Sequence, residues 1–407
     1  MDLIAAIIMC FILVFYLHII KKKNVIPHCD FIFILSSIIS YIIIAYIAMF
    51  YCMDVPPIFD IPILEKEEVI FDASIINIGF ILGGIIRAFS MRKVTINNNS
   101  KKITKKINFN ILSTLIIISI ILILFDYYLY FKGMDYAYFH SQDHDLPHLL
   151  LSFYYVICAA TIILVLGNSA SKKVIFIIII SSMLVLFTYG YLFEVRNPLL
   201  GYFLIILCLF GDKLSFRYFI YTLLTLILIL AIIPLNRDSE LSANGNFQGL
   251  IDMLLGVGQQ VNSINFSNKY VKYEGITYGL SFLKNLIGSG TPSSSLYTIS
   301  ISPEYFQAGG GYGFFLPSDL IINFGLYGAF IFAIFFGYIF GSFNFKRNSY
   351  LTNLAYICVF SATFTIIRND FGTSLRGPIY IFLMAIALKL GLYAINCLLK
   401  LRMHHLK

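Results

Sequence analysis

Runs of about 20 apolar residues recur from one end of this chain to the other, and they limit its fold more than any motif does. A helix of roughly that length crosses a hydrocarbon core of about 30 Å. Inside that core each backbone polar group must be paired within the protein, which leaves only helices and closed barrels. The runs read as about eleven helices, near residues 3–20, 31–53, 69–89, 109–131, 148–167, 173–191, 197–211, 215–235, 317–341, 350–367 and 377–399. Charged residues are only 12% of the chain and mean hydropathy is +0.84, so water is the wrong solvent for most of its surface. The expected fold is all-α: one polytopic transmembrane domain over 1–407.

The formal charge of +8 does not point to nucleic acid, because the basic residues lie in short clusters between apolar runs. Clusters at Lys21–Lys23, Arg92–Lys106, Lys172–Lys173, Lys213–Arg217, Lys346–Arg347 and Lys400–Lys407 all fall on one side if the N-terminus is outside. The positive-inside rule therefore predicts N-out and C-in. Asp2 precedes the first run and lysines follow it, so it reads as a retained helix rather than a signal peptide. The seven cysteines show neither a disulfide framework nor metal-ligand spacing.

The opposite face collects the polar chemistry, above all the segment 236–316 between the eighth and ninth runs. Some 80 residues is too long for a connector. Within it, FQGLIDMLLGVG and ITYGLSFLKNLIG are apolar enough to form short helices at the membrane interface. This face holds Arg196, Arg237, Arg368 and Arg376, four of nine arginines but only five of twenty lysines. Guanidinium groups match phosphate bidentately where ammonium groups are point charges, so the bias points to a phosphate-bearing ligand.

Arg196-Asn197-Pro198 and Arg376-Gly377-Pro378 each resemble a helix start, with proline at the first helical position and arginine beside the free N–H groups. The competing reading is an arginine snorkelling at the interface. Arg368 is equally well read as charge compensation at a helix C-terminus. Asp370, between two arginines, reads as orienting one of them. Glu304 precedes the glycines at 309, 310, 311 and 313, and either Glu304 or Asp319 is placed to be a base or a solvated carboxylate. His140, His144 and His148 have metal-like spacing, but Pro147 breaks their face and the stretch reads as a loop. Asp72 is expected where water reaches it, and no metal or other cofactor is expected.

Arg196 in EVRNPLLGY, Arg237 in PLNRDSE, Glu274 in YEGITYG, Glu304 and Tyr305 in SPEYF before the glycine run, and Arg368, Asp370 and Arg376 in RNDFGTSLRGP form a pattern. With the topology, it resembles the bacterial oligosaccharide repeat unit polymerases, the O-antigen polymerase (Wzy) family. The resemblance implies a C-type glycosyltransferase-like fold in the inner membrane and a metal-independent polymerase acting on its periplasmic face. Its donor and acceptor would be undecaprenyl-diphosphate-linked oligosaccharides, with a chain-length-regulating co-polymerase as a further partner. Arg196, Arg376 and Glu304 would be catalytic, and Arg237, Arg368, Tyr305, Glu274 and Asp370 would bind the diphosphate or glycan. An O-antigen ligase and a flippase for the lipid-linked unit stay open as alternatives.

Overall fold

The computed structural model describes residues 2–51, 66–90, 147–166, 172–192, 197–211, 257–307, 313–342 and 349–405, together with Ile116. Every regular element among them is helical. In chain order they are α1 (Asp2–Lys22), α2 (Phe31–Tyr51), α3 (Lys66–Ser90), α4 (Pro147–Leu166), α5 (Lys172–Leu192) and α6 (Asn197–Phe210). A 3-10 turn over Val257–Asn262 leads into α7 (Ser263–Glu274), α8 (Leu280–Ile287), α9 (Ser293–Ile301) and α10 (Pro303–Gln307). The series closes with α11 (Leu316–Phe340), α12 (Tyr350–Ser361), α13 (Thr363–Arg368) and α14 (Phe371–His405). Within α1, α2, α3, α11 and α14 lie segments long and apolar enough to cross a membrane. The runs expected at 109–131 and 215–235 lie outside the described residues.

The chain divides into two compact units, the first comprising Met1–Arg92, Leu214–Arg347 and Ala362–Arg376. Its centre is the contact between α3 and α11, and glycine makes that contact possible. A Cβ at Gly83 would overlap the carbonyl oxygen of Ile334, and one at Gly337 would overlap that of Phe80. At Gly79 it would stand 2.9 Å from Phe330 O, and at Gly341 2.7 Å from Gly84 Cα. Positions advance together along both helices, so α3 and α11 run parallel. Ala329, Ala333, Gly337 and Gly341 repeat every four residues along one face of α11, the small-residue pattern that lets helix backbones touch in lipid. Another face carries Tyr327, Ile331, Phe335 and Ile339, exposed by 87, 66, 62 and 46%. An apolar stripe of that size on a spanning helix is a face for lipid.

At one end of this bundle Asp30 ties three helices together. It is fully buried, and its carboxylate accepts from Tyr16 Oη of α1 at 2.9 Å, from Phe33 N in the first turn of α2 at 2.8 Å and from Ser342 N beyond α11 at 2.6 Å. The first turn of α2 has N–H groups with no partner inside the helix, and Asp30 supplies one. Desolvation pushes its pKa up from the ordinary 3.8 to about 6, against the pull of its donors. Lys21 and Lys22 in the last turn of α1 share this end, so this basic cluster and the described helices of the 236–316 segment occupy opposite ends of the unit.

Three helices differ from the sequence expectation. The expected run 350–367 is two helices, α12 and α13, which part at Ala362 (φ −92°, ψ 5°). Within α11, Gly325 takes φ 67° and ψ 172°, which kinks the span near its start. The eleventh run opens at Phe371, six residues before Gly377, and Pro378 lies inside α14 rather than at its first turn. The early start follows from capping: Asp370 O accepts from Ser374 N at 3.0 Å and Asp319 Oδ2 accepts from Phe371 N at 2.9 Å. Those acceptors stabilise the turn ahead of Pro378, and the proline then leaves one interior carbonyl without its helical donor.

The second unit comprises Lys93–Lys213, Asn348–Ser361 and Gly377–Lys407. Here α6 packs on α4, α5 and α12. Gly201 admits the Tyr154 hydroxyl where any Cβ would collide with it. Rings of Tyr154, Tyr155 and Tyr380 follow one another at centroid distances of 5.5 Å.

Replacing Gly337 by Leu forces α3 and α11 apart, and we expect it to destabilise the protein by about 3 kcal/mol or more. A Cβ at Gly391 in α14 meets nothing within 4 Å, so Gly391→Ala should be neutral or raise stability by up to about 1 kcal/mol. Thermal melts in detergent check both. For Asp30 the folded state alone holds the proton between 3.8 and about 6. Its contribution is therefore complete below 3.8 and disappears as pH rises through about 6. Asp30→Asn should flatten the fall in melting temperature across that window relative to wild type.

Candidate functional site

The end opposite Asp30 carries the described part of the 236–316 segment, held to the bundle by polar contacts. Tyr46 Oη of α2 donates to Asn262 Oδ1 at 2.9 Å, Asn268 Nδ2 of α7 donates to Asp72 Oδ2 of α3 at 2.9 Å, and the hydroxyls of Ser263 and Ser318 lie 2.6 Å apart. Asp72 is thus buried in the fold rather than open to water, as its place in the sequence had indicated. The reason is α7, which covers that end of α3.

Asn323, two turns into α11, organises the next layer. Its Oδ1 accepts from Ser281 Oγ at 2.7 Å, Thr277 Oγ1 at 3.0 Å and Phe282 N at 3.3 Å, while its Nδ2 donates to Asp319 O at 2.8 Å. Gly279, which precedes α8, has no side chain to cap it, so Asn323 of another helix caps α8 instead. The kink at Gly325 opens the adjacent carbonyl, and Ile322 O accepts from Thr277 N at 3.1 Å. Asp319 and Asp370 extend the scheme. Asp370 accepts from Ser294 N at 3.1 Å and Ser294 Oγ at 2.5 Å in the first turn of α9, and Asp319 receives Ser293 Oγ at 3.3 Å and Phe371 N. Both carboxylates are 1% exposed. The N-terminal turns of α9 and α14 supply the backbone donors for these two buried carboxyl groups. Asp319 is therefore not a solvated loop carboxylate, and among the described residues the donors on Asp370 come from Ser294.

The arginines divide into two roles. Arg376, half-buried in the second turn of α14, donates Nε to Asn285 O at 2.7 Å and Nη2 to the same oxygen. That oxygen belongs to the last turn of α8, which ends at Gly288 with φ 82°. Arg376 thus caps and charge-balances a helix C-terminus, with its remaining donors beside Gly288. Arg368 ends α13, and its backbone oxygen accepts from Phe314 N at 2.6 Å. Its side chain keeps accessible surface, and its guanidinium meets no hydrogen-bonding partner among the described residues. Burial of the surrounding site lowers its pKa from the ordinary value.

Beside Arg368 lies a pair of amides that the sequence reading passed over. A Cβ at Gly313, which has φ 72°, would lie 3.6 Å from Arg368 O and 3.6 Å from Gln260 Nε2. Gln260 Oε1 and Asn262 Nδ2 on the same 3-10 turn are buried without partners, as are both side-chain polar atoms of Asn285. Buried amides are normally satisfied, so this end of the unit holds unused amide donors and acceptors among the described residues. Polar letters inside VGQQVNSINFSN and the lone Asn323 in an apolar run were the available signals, since polar residues in spans mark function by default.

Of the other expected site residues, Glu304 is exposed on α10 and Glu274 is exposed at the end of α7. No hydrogen bond joins either of them to Arg368 or Arg376. The side chain of Tyr305, together with Arg196, Arg237, His140, His144 and the glycines 309–311, lies outside the described residues. Among the described residues no group of His, Cys, Asp or Glu is arranged to hold a metal.

What these observations define is an all-helical chain whose long helices suit a membrane. No protein-family model, curated protein or solved structure matches it.

Asn323→Ala should remove the cap of α8 and leave Phe282 N and two hydroxyls unpaired, costing about 2 to 4 kcal/mol. Hydrogen exchange should then accelerate over residues 277–287 while α1 and α3 keep their protection.

Proposed function

We propose that this chain is a membrane glycosyltransferase that joins lipid-diphosphate-linked oligosaccharide repeat units, as the O-antigen polymerases do. The observation that carries the reading is Arg368, an exposed guanidinium with no hydrogen-bonding partner among the described residues, at the end of the first unit opposite Asp30. A guanidinium with donors to spare matches a phosphate bidentately. In this reading the chain crosses a bacterial inner membrane about eleven times in a C-type glycosyltransferase-like arrangement, N-terminus periplasmic and C-terminus cytoplasmic.

The reaction asks little of the protein beyond charge and position. A hydroxyl of the incoming lipid-linked unit attacks the anomeric carbon of the growing glycan. The bond from that carbon to the donor diphosphate breaks, the electron pair leaves with the diphosphate, and the hydroxyl proton passes to a base. Arginine donors aimed at the leaving diphosphate stabilise the charge that develops there. Arg368 takes that part first, Arg376 contributes the donors that α8 leaves unused, and Arg196 and Arg237 complete the set. Glu304, exposed on the same unit, is the assigned base.

The division between the arginines selects the test. Arg376→Ala also uncaps α8, so loss of activity there mixes structure with chemistry. Arg368→Ala removes no described side-chain contact. One charge-assisted contact of about 1.5 to 3 kcal/mol corresponds to a rate loss of about ten- to a hundredfold. Arg368→Ala, expressed at wild-type abundance in place of the natural gene, should leave core with a single repeat unit on a glycan gel, and Arg368→Lys should restore chains partly. Full-length chains from Arg368→Ala would sink the proposal; bare core would favour a ligase and trapped lipid-linked units a flippase.

A further inference from the structure

The short helix α8 is turned inside out. Leu280, Leu283 and Ile287 lie on one face at i, i+3 and i+7 and are exposed by 58, 54 and 76%, whereas Asn285 on the opposite face is fully buried. A helix facing water would hide the aliphatic side chains and show the amide. Tyr278, just before α8, is 81% exposed and adopts φ 52°.

Two further features say what covers that face. First, α8 is fastened to α11 at the kink, through Asn323, Thr277 and the packing of Ile276 on Gly325. Tyr327, 87% exposed, stands two residues beyond the kink and heads the lipid-facing stripe of α11. Second, exposed Lys284 sits between Leu283 and Asn285. Tyrosine and lysine beside aliphatic residues are the composition of a membrane–water boundary.

We propose that α8 is an interfacial helix, with Leu280, Leu283 and Ile287 immersed in the acyl chains of the leaflet around the outer end of α11 and Lys284 among anionic headgroups. It lies roughly 5 to 10 Å into the headgroup boundary. One consequence concerns Arg376, which holds the last turn of α8: an immersed α8 keeps that guanidinium at the depth of lipid phosphates. The immersion itself stands apart from glycosyl transfer and is read without substrate.

The natural chain has no tryptophan, so Leu283→Trp creates a single fluorophore on an already exposed position. The full-length protein is reconstituted in vesicles of equal phosphatidylcholine and phosphatidylglycerol, with bromine at shallow or deep acyl carbons. We expect blue-shifted emission, quenched about twofold by shallow bromine and less by deep bromine. Ile287→Trp should behave alike if Leu283→Trp folds poorly, while Lys272→Trp on the polar surface should escape quenching. Water-like emission without quenching from both α8 variants overturns the inference. So does blue-shifted, unquenched emission that depends on protein density, the mark of a second copy covering the face, and so does equal quenching of Lys272→Trp.

Discussion

The backbone contact between α3 and α11 is the constraint on which the first unit depends. Lipid chains are as apolar as the side chains of a spanning helix, so helices there associate through close packing and polar contacts rather than by escaping water. Gly79, Gly83, Gly337 and Gly341 bring the two helices together until backbone atoms meet. Parallel packing at that range leaves little freedom of rotation. It directs Asp319 and Asn323 toward the short helices at one end, and Ser342 toward Asp30 at the other.

From that frame the fold builds its polar end by an exchange of caps. Helices α8, α9 and α14 each begin with an N–H that accepts help from a residue elsewhere in the chain: Asn323, Asp370 and Asp319 in turn. Each cap is worth about 1 kcal/mol alone, but three joined through Ser293 and Ser294 make the ends of these helices one rigid piece. Under the proposed glycosyl transfer such rigidity would serve the reaction, because a charge-stabilising group works best when it need not reorganise as the reaction proceeds. Arg376 belongs to the rigid piece, and the guanidinium of Arg368 makes no hydrogen bond among the described residues. The contrast between a capping arginine and one without such a bond is what gives the phosphate reading its preferred residue.

Much of the architecture was legible in the residues. Apolar runs located the five long helices, because hydrophobic length acts locally and needs no knowledge of neighbours. The small-residue repeat from Ala329 to Gly341 was equally visible, although its partner on α3 was not, since nothing in a single helix names the one it will touch. Helix starts were less readable. Pro378 signals a first turn by its own chemistry, yet α14 begins earlier because Asp319, some fifty residues away in sequence, supplies an acceptor for Phe371 N.

By itself, then, the sequence determined that this chain is helical and suited to a membrane, and that its basic residues fall in short clusters between apolar runs. Hydrophobic length and charge asymmetry are properties of segments, so they survive without a fold. Only the tertiary structure decided that Asp72, Asp319 and Asp370 are buried, that Arg376 holds the end of α8, and that Arg368 meets no side-chain partner among the described residues. Those roles depend on which side chains meet across distant stretches of chain, and hydrogen bonding in a packed interior is set by that meeting rather than by residue type.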